Sequence, residues 1–433
     1  MGLNYGQRNL SRTKVDTYTA RYRYAPSDNR LLNVKANLWY ADLEHTRDIG
    51  WTYVGRNHSM ETTGADISNR SVITTAVGEL TVDAGGEYRQ EVAFATETNE
   101  RWRESRGPNG VRNLASAYGK TTLEPTNWLE LSAGARFDHY SAEGKRIAAN
   151  HPDKEQERFS PNAGLIVKPF DGLQLYAQYT EGFRAPSLRE LYWDFRTALL
   201  RVNPNIRGEV SKNTEFGANV LRDNVLMDGD KARFKASYFR NQYDDFILYA
   251  LVPGGGVFSG PYEFTNIDRA NYHGLELSGS YDAGVFFAEG AFTKYLKAEY
   301  CTGATGCRMP NFGEVISNVT PPTYVPPEWS GSVTAGVRLF DQSLTLGTRV
   351  IFSSTRIGTD WPTTRPGLIG FQNTWPDFVV FDLFGSYQLS EKTMLNFSVE
   401  NATDQYYYGP LSTTAMPSPG RTARIGFTHT FGE

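Results

Sequence analysis

Apolar and polar residues alternate with a period of two along most of the chain. The pattern recurs at residues 32–40, 128–138, 332–339 and 394–400. In the second of these stretches the apolar residues are Leu129, Leu131, Ala133, Ala135 and Phe137. Successive side chains of a strand point to opposite faces of a sheet, so the pattern predicts strands with one apolar face and one frequently charged face. A soluble β-sandwich gives similar alternation, and the connections discriminate better.

Short and long connections alternate along most of the chain. Short turns are predicted at 25–30, 124–127, 169–172, 282–284, 340–343 and 389–392. Long polar or Gly/Pro-rich links are predicted at 43–60, 96–110, 141–157, 184–207, 249–268, 298–326, 355–375 and 402–420. Short turns on one rim and long loops on the other are typical of transmembrane barrels, whereas sandwiches and propellers have no reason to sort their loops. We therefore predict an all-β transmembrane antiparallel β-barrel of about 17 strands, with the weakest strand patterns near 71–77 and 221–230.

The composition agrees with a barrel wall. Of the 433 residues, 39% are hydrophobic, and the 25 Tyr, 25 Phe and 8 Trp suit aromatic girdles at a membrane interface. No apolar run reaches the roughly 18 residues of a spanning helix, whereas a barrel strand turns only alternate residues to lipid. The net charge of -4 and the lack of a basic tract give no sign of nucleic-acid binding.

The two cysteines, Cys301 and Cys307, lie close together in a Gly/Thr-rich stretch. This spacing favours a small disulfide formed in an oxidising compartment, and two free thiols are the alternative. A loop this short contributes about 2 kcal/mol on the chain-entropy model, enough to stiffen a loop rather than to hold a fold together.

Several ordered patterns resemble the TonB-dependent outer-membrane receptors. Residues 179–192 (YTEGFRAPSLRELY) are similar to that family's mid-barrel signature, and residues 266–277 (NIDRANYHGLEL) to the beginning of a later strand. Residues 401–407 and 419–422 are similar to the close of the barrel. The family barrel has about 22 strands and a plugged lumen. The resemblance thus implies that residues 1–433 are a partial barrel, with the plug domain, signal peptide and first strands outside the chain.

Within that family, two boxes resemble those of heme and hemoprotein receptors. The first is Phe183, Arg184, Ala185 and Pro186, and the second is Asn203, Pro204 and Asn205. The resemblance implies a receptor in the bacterial outer membrane for active uptake of an iron-bearing ligand, with heme or a hemoprotein or hemophore as partner. Heme or a ferric chelate would be the transported ligand and not a catalytic cofactor. The TonB energy-coupling complex, acting through the plug, and membrane lipid are the other implied partners.

Other functions remain as alternatives. A ferric-siderophore receptor is the first, and a passive porin-like channel is the second. An enzyme is not expected, because the chain contains neither Gly-x-Ser-x-Gly nor His-Glu-x-x-His and its scattered histidines nominate no catalytic group.

The resemblance also implies that the 184–207 link reaches over the ligand. Its candidate binding residues are Arg184, Arg189, Tyr192, Trp193, Arg196, Asn203 and Asn205. The arginines would pair with propionates or with acidic groups of a siderophore, or instead with nearby acids such as Glu190 and Asp194. A barrel lacking strands would close into a smaller one or leave two unpaired edges.

The iron ligand is the open question of this link. Heme receptors of this kind usually carry a histidine between the boxes, because imidazole is a good axial ligand, and residues 187–202 contain none. Tyr192 could supply a phenolate, or Tyr192 and Trp193 could merely stack on neighbouring loops. His45, His58 and His151 fall in or beside other long links, where an exposed histidine usually has no function.

Overall fold

The computed structural model describes residues 9–49, 54–97, 108–145, 153–192, 202–256, 260–303, 306–308, 325–356, 376–409 and 417–431. The strands of the first half are β1 Asn9–Tyr24, β2 Val34–Ile49, β3 Val54–Thr75, β4 Gly78–Glu97, β5 Gly110–Thr126, β6 Leu129–Gly144, β7 Lys154–Phe170, β8 Leu173–Arg184 and β9 Glu209–Asp223. The second half contains β10 Lys231–Gly256, β11 Gly260–Asp282, β12 Phe286–Thr302, β13 Gly306–Arg308, β14 Trp329–Leu339, β15 Leu344–Ser353, β16 Phe378–Ser390, β17 Thr393–Glu400 and β18 Thr422–His429. One short helix, α1, spans Leu188–Tyr192 in the described part of the chain.

The described strands form one 18-stranded antiparallel sheet in which each strand pairs with its neighbours along the chain. Among the described strands, the three-residue β13 pairs only with residues 300–302 of β12, and residues 286–294 of β12 pair with β14. The other 17 strands form the wall, which confirms the fold and the strand number predicted from the sequence. Within the described ranges no register joins β1 to β18. The same ranges contain no helix with the length and hydropathy to cross a bilayer.

The apolar face of the wall is the exposed one. Leu38, Ile67 and Phe159 are about three-fifths exposed, at 61%, 59% and 60%. On β5 the opposite face carries Arg112, which is buried and paired with Glu91 of β4. A soluble protein would bury the large apolar side chains, whereas a membrane barrel turns them towards lipid. The alternation seen in the sequence is therefore that of a lipid-facing wall.

Short connections collect at one rim. The turns at 25–33, 127–128, 171–172, 283–285, 340–343 and 391–392 confirm the six predicted ones. Two further turns, at 76–77 and 224–230, lie where the sequence favoured strands. The prediction was wrong at 224–230 because Val225, Leu226 and Met227 have strand-like side chains. These three are at least half exposed, and their backbone amides bond the carboxylate of Asp230 instead of a neighbouring strand.

Two of the predicted long links are instead largely strand. β2 and β3 pair through Ile49 and Val54, and β10 and β11 pair through Leu251 and Tyr262 before a register shift. The polar residues that suggested loops continue the ladders beyond the 9–11 residues that a strand needs to cross a bilayer. Aromatic pairs support these extensions, as in Tyr249 and Phe264, whose ring centres lie 5.2 Å apart. At the long-loop rim, these hairpins therefore extend beyond the part of the wall that crosses the membrane.

The disulfide lies on one such projection. Cys301 of β12 and Cys307 of β13 are opposite each other in the register and are joined by a disulfide. Beside it is a buried cluster in which Tyr300 stacks on Phe246 with ring centres 6.0 Å apart and accepts a hydrogen bond from the Tyr272 hydroxyl at 3.0 Å. The short covalent loop thus stiffens a hairpin that also has an aromatic core.

Candidate functional site

The 184–207 link begins with a capped helix turn. The Ser187 hydroxyl accepts a hydrogen bond from the Glu190 amide at 3.3 Å, and the Glu190 carboxylate accepts one from the Ser187 amide at 2.7 Å. This reciprocal pair is a capping box, which satisfies amides that the first turn of a helix leaves without partners. Pro186 precedes the cap and disfavours any continuation of helix towards β8. The Pro-Ser-x-x-Glu run, which begins with the last residue of the first box, is thus a helix start signal.

Arg184 lies at the end of β8, between two carboxylates. Its Nε donates to Glu209 at 2.6 Å, and its Nη1 is 3.0 Å from Glu190. Glu209 also accepts a hydrogen bond from the Ile247 amide at 2.7 Å, so it connects β8 to β10 through one side chain. Of the two roles open to Arg184, the structure shows the pairing with nearby acids.

A second arginine holds the same segment from the barrel wall. Arg112 of β5 donates to the carbonyl of Pro186 at 2.8 Å and to that of Ala185 at 3.4 Å. Its other nitrogens bind Glu91 of β4 at 2.6 and 3.0 Å. Arg112 and Glu91 are both shielded, with side chains 10% and 12% exposed. This buried pair clamps the first box to the wall, and we call Glu91, Arg112, Ala185 and Pro186 the clamp.

Helix α1 lies with one side on the wall. Its buried residues are Leu188, Leu191 and Tyr192, and they pack with Tyr140, Ala93, Ala142 and Ile206. Tyr192 lies so close to β5 that a β-carbon at Gly110 would come within 3.0 Å of its ring, so glycine is needed there. Burial raises the pKa of Tyr192 to about 12. The phenol is therefore neutral at physiological pH and serves as a packed aromatic.

The second box is tied to a different part of the wall. The Asn203 carboxamide oxygen accepts the Asn205 amide at 2.9 Å, and its nitrogen donates to the Phe264 carbonyl at 3.2 Å. This Asx-type turn fixes the chain before β9. The Pro204 carbonyl accepts a hydrogen bond from Lys154 of β7. Ile206, which follows the second box, is buried in the cluster beneath α1.

Arg207 and Gly208 complete the attachment. Asn266 of β11 accepts the Arg207 amide at 2.9 Å and donates to the Arg207 carbonyl at 3.0 Å, as a backbone strand would. The Arg207 guanidinium pairs with Asp245, which raises the pKa of the arginine. A β-carbon at Gly208 would lie 2.3 Å from the Phe183 ring, so the two ends of the link approach each other only because residue 208 is glycine.

The structure thus separates the predicted site residues into two groups. Phe183, Ala185, Pro186, Tyr192 and Asn203 face the wall or its cluster and anchor the link. Arg189, Pro204 and Asn205 are exposed, and Arg184 is exposed although doubly paired. Trp193 and Arg196 lie outside the described residues.

The anchoring partners on the wall were missed by sequence reasoning. They are Glu91, Arg112, Glu209 and Asn266. Asn266 stands in a recognised motif, but Glu91 and Arg112 are single charges in alternating strands and carry no local signal. Within the described ranges, no group of three or more His, Cys, Asp or Glu side chains could hold a metal ion.

The sequence motif at the end of the chain has a similar anchoring role. Asn401 has a φ of 49° and uses its carboxamide to accept the Gln405 amide at 2.8 Å and to donate to the Pro419 carbonyl at 3.3 Å. Asp404 accepts the Arg421 amide at 2.8 Å. Side chains therefore fasten the link between β17 and β18 at its base, as they do at 183–208.

The chain is similar in sequence to a known family and to several known proteins. Residues 2–402 match the family described as TonB dependent receptor-like, beta-barrel. The chain is 26% identical to a hemin receptor of Yersinia enterocolitica, over 94% of this chain and 57% of that protein. It is also 26% identical to the heme/hemopexin utilization protein C of Haemophilus influenzae, over 70% of this chain and 42% of that protein. The chain spans about half the length of these curated relatives.

A solved structure is similar over nearly the whole chain. It is a double mutant of the Serratia marcescens hemophore receptor HasR in complex with its hemophore HasA and heme. The TM-score is 0.78 and the identity 26%, with 98% of this chain and 66% of that chain covered.

Proposed function

Because the chain belongs to the TonB-dependent receptor-like β-barrel family, we propose that it forms the wall of an outer-membrane receptor for active uptake of heme, taken free or from a hemoprotein or hemophore. The two boxes, fixed side by side at the long-loop rim, are the observation that carries this proposal. They hold both ends of a link whose middle is left to contact a ligand above the mouth. Two relatives and one solved structure bear the names of hemin, heme/hemopexin or hemophore proteins, which favours heme over other iron ligands.

The proposed ligand surface consists of the outward residues of the link. Arg189 and Asn205 are exposed beside the boxes, and we add Trp193 and Arg196, which were predicted from the sequence. Arginine forks suit the carboxylates of heme propionates, and an aromatic ring suits a porphyrin face. Arg184, already held between Glu190 and Glu209, is proposed to position α1 rather than to bind the ligand.

The energy for uptake would come from outside the described wall. We propose that the TonB complex acts through a plug domain, as in the family, and that binding energy and conformational change do the work without covalent chemistry. The heme is cargo, and its iron ligand stays unassigned within the link because residues 187–202 contain no histidine. That missing histidine is also the observation that favours a ferric-siderophore receptor as the second candidate.

A titration separates the two candidates. The receptor is expressed with its native upstream segment in a heme-auxotrophic strain and purified in detergent, then titrated with hemin and with a ferric catecholate. Heme uptake predicts a saturable Soret shift and growth on heme that depends on TonB. A response to the catecholate alone would replace heme with a siderophore, and conductance in planar bilayers without ligand would instead indicate a porin-like channel.

A further inference from the structure

Two histidines lie directly opposite each other on neighbouring strands at the long-loop rim. His45 of β2 and His58 of β3 are register partners, four positions below the Ile49–Val54 end of that hairpin. Their ring centres are 6.3 Å apart and the rings are tilted by 41°. The sequence placed both residues in a loop, but they are held on paired strands, so the separation between them is fixed by the ladder.

The pair lies on the face of the sheet opposite the lipid-facing residues. The register of β2 runs without a shift from Val34 to Ile49, so His45 shares the face of Trp39, whereas Leu38 and Tyr40 are exposed on the other face. His45 and His58 are each half-buried. They therefore face the inner side of the rim, along which a ligand would enter the barrel.

A neighbouring strand orients one of the rings. The Thr13 hydroxyl of β1 is 2.8 Å from His45 Nδ1, and the Ser11 hydroxyl is 3.4 Å from His45 Nε2. A histidine that binds a metal through one nitrogen commonly donates its other N–H to an oxygen, which fixes the tautomer and the ring plane. With Nδ1–H donating to Thr13, coordination falls to the Nε2 lone pair, where a metal ion would displace the long 3.4 Å contact with the Ser11 hydroxyl.

We propose that His45 and His58 form an open two-imidazole site for a transition-metal centre that prefers nitrogen ligands, such as Cu²⁺, Ni²⁺ or Zn²⁺. Metal–imidazole bonds are about 2.0–2.1 Å long, and ring centres 6.3 Å apart leave room for one ion bonded to a nitrogen of each ring. Within the described residues no third His, Cys, Asp or Glu side chain joins the pair, so water or ligand atoms would fill the positions that those residues leave open. An incomplete shell of this kind suits exchangeable binding at an entrance and not a permanent structural metal.

The test is a Cu²⁺ titration of the purified barrel in detergent, read by the nitrogen hyperfine splitting in its electron paramagnetic resonance spectrum. The wild type is expected to bind one ion with two equivalent nitrogens. His45→Gln and His58→Gln should each remove one nitrogen and weaken binding by at least about tenfold, and Thr13→Val should weaken it without changing the nitrogen number. Heat-modifiable mobility on gels verifies that every variant keeps its fold.

His429→Gln is the matched control. Its Nδ1 is 2.9 Å from the Thr393 hydroxyl, as His45 is from Thr13, but its register partner is a threonine and not a histidine. The control should bind Cu²⁺ as the wild type does. Equal binding by the wild type and the His45→Gln, His58→Gln double variant would overturn the proposal.

A hemin titration of the same variants defines the metal centre and is independent of the proposed uptake function. Loss of Cu²⁺ binding with hemin binding intact assigns the site to the bare ion. Loss of both assigns it to any metal centre that accepts imidazole, the iron of a porphyrin included. Both results uphold the site, and neither depends on whether the receptor transports heme.

Discussion

The two ends of strand β9 are fastened in different ways. At the long-loop rim, Glu209 joins Arg184 of β8 to the backbone of β10, and the nearby clamp connects residues more than 70 positions apart, since Arg112 binds Pro186. At the short-turn rim, Asp230 alone bonds three amides within five residues and the Tyr281 hydroxyl. The first fastening joins charged side chains of distant strands, and the second depends mainly on one carboxylate and the backbone amides of its own turn.

This difference indicates what each rim has to do. A short turn only reverses the chain, so one carboxylate that caps its amides is sufficient. On the proposed function, the long link needs a fixed base from which its middle reaches a ligand, and wall residues supply that base. The long-loop rim therefore uses anchors from distant strands, whereas the short turn is held mainly by its own residues.

Breaking the clamp should have the largest effect. Arg112→Ala leaves the shielded Glu91 with only its 3.4 Å pair to Arg89 and removes two hydrogen bonds to the first box. Loss of one partner of a buried ion pair costs about 3–5 kcal/mol when the other charge is left unpaired, and the remaining pair with Arg89 lowers that cost. We expect a lower free energy of unfolding in urea and faster tryptic cleavage after Arg189, because α1 loses its tether.

Arg136→Ala is the control for the clamp. Arg136 binds Asp138 on the same face of the wall, but its side chain is 42% exposed, so its loss should change stability by less than about 1 kcal/mol. Similar cleavage after Arg189 in both variants would show that the clamp does not hold α1.

The local fastening should respond to pH. Burial disfavours the charged form of Asp230, but the hydrogen bonds from Tyr281 and from three backbone amides outweigh it and hold its pKa well below the usual range. The stabilisation is therefore complete above the unfolded pKa of about 3.9 and is lost as the pH falls through the lower folded value.

Asp230→Asn tests this expectation. The variant should unfold at a lower temperature than the wild type at neutral pH, and the difference should shrink below about pH 4, where the carboxyl group of the unfolded wild type begins to take up a proton. Asp228→Asn, in the same turn, should match the wild type throughout. A constant difference between Asp230→Asn and the wild type across this range would contradict the ionic origin of the effect.

The cap of α1 should matter less. Glu190→Gln keeps the shape of the side chain but removes one of the two carboxylate charges that pair with Arg184. It also weakens the capping box that Glu190 forms with Ser187. Loss of such a cap costs about 1 kcal/mol. Tryptic cleavage after Arg189 should rise modestly, well below that of Arg112→Ala, and a larger rise would mean that the cap and not the clamp anchors the helix.

Tyr192→Phe should have the smallest effect. The ring remains packed in its cluster, and the phenol, with a pKa near 12, is neutral at pH 7. We expect the heme absorption spectrum to be the same in Tyr192→Phe and the wild type. A changed spectrum would instead identify the phenolate as an iron ligand.

Local patterns were enough to predict the wall. Alternation in 128–138 and the six short turns follow from side-chain direction and turn chemistry, which act over a few residues. A strand was wrongly predicted at the turn before Asp230, because Val225, Leu226 and Met227 are apolar residues typical of strands although they are exposed there. The clamp could not be predicted, since Arg112 meets Glu91 and Pro186 only after strands β4 to β8 have formed that part of the wall.

On the proposed function, the two boxes fixed to the wall present the link between them to heme. The most direct measurement compares hemin affinity of the receptor, with its native upstream segment, before and after residues 188–201 are replaced by a Gly/Ser linker of equal length. The same replacement of residues 146–152, in the β6–β7 link, is the control. We predict that the first replacement weakens hemin binding by at least about tenfold, or about 1.4 kcal/mol. The second replacement should leave the hemin affinity unchanged. Unchanged affinity in the first, with the fold intact, would contradict the account.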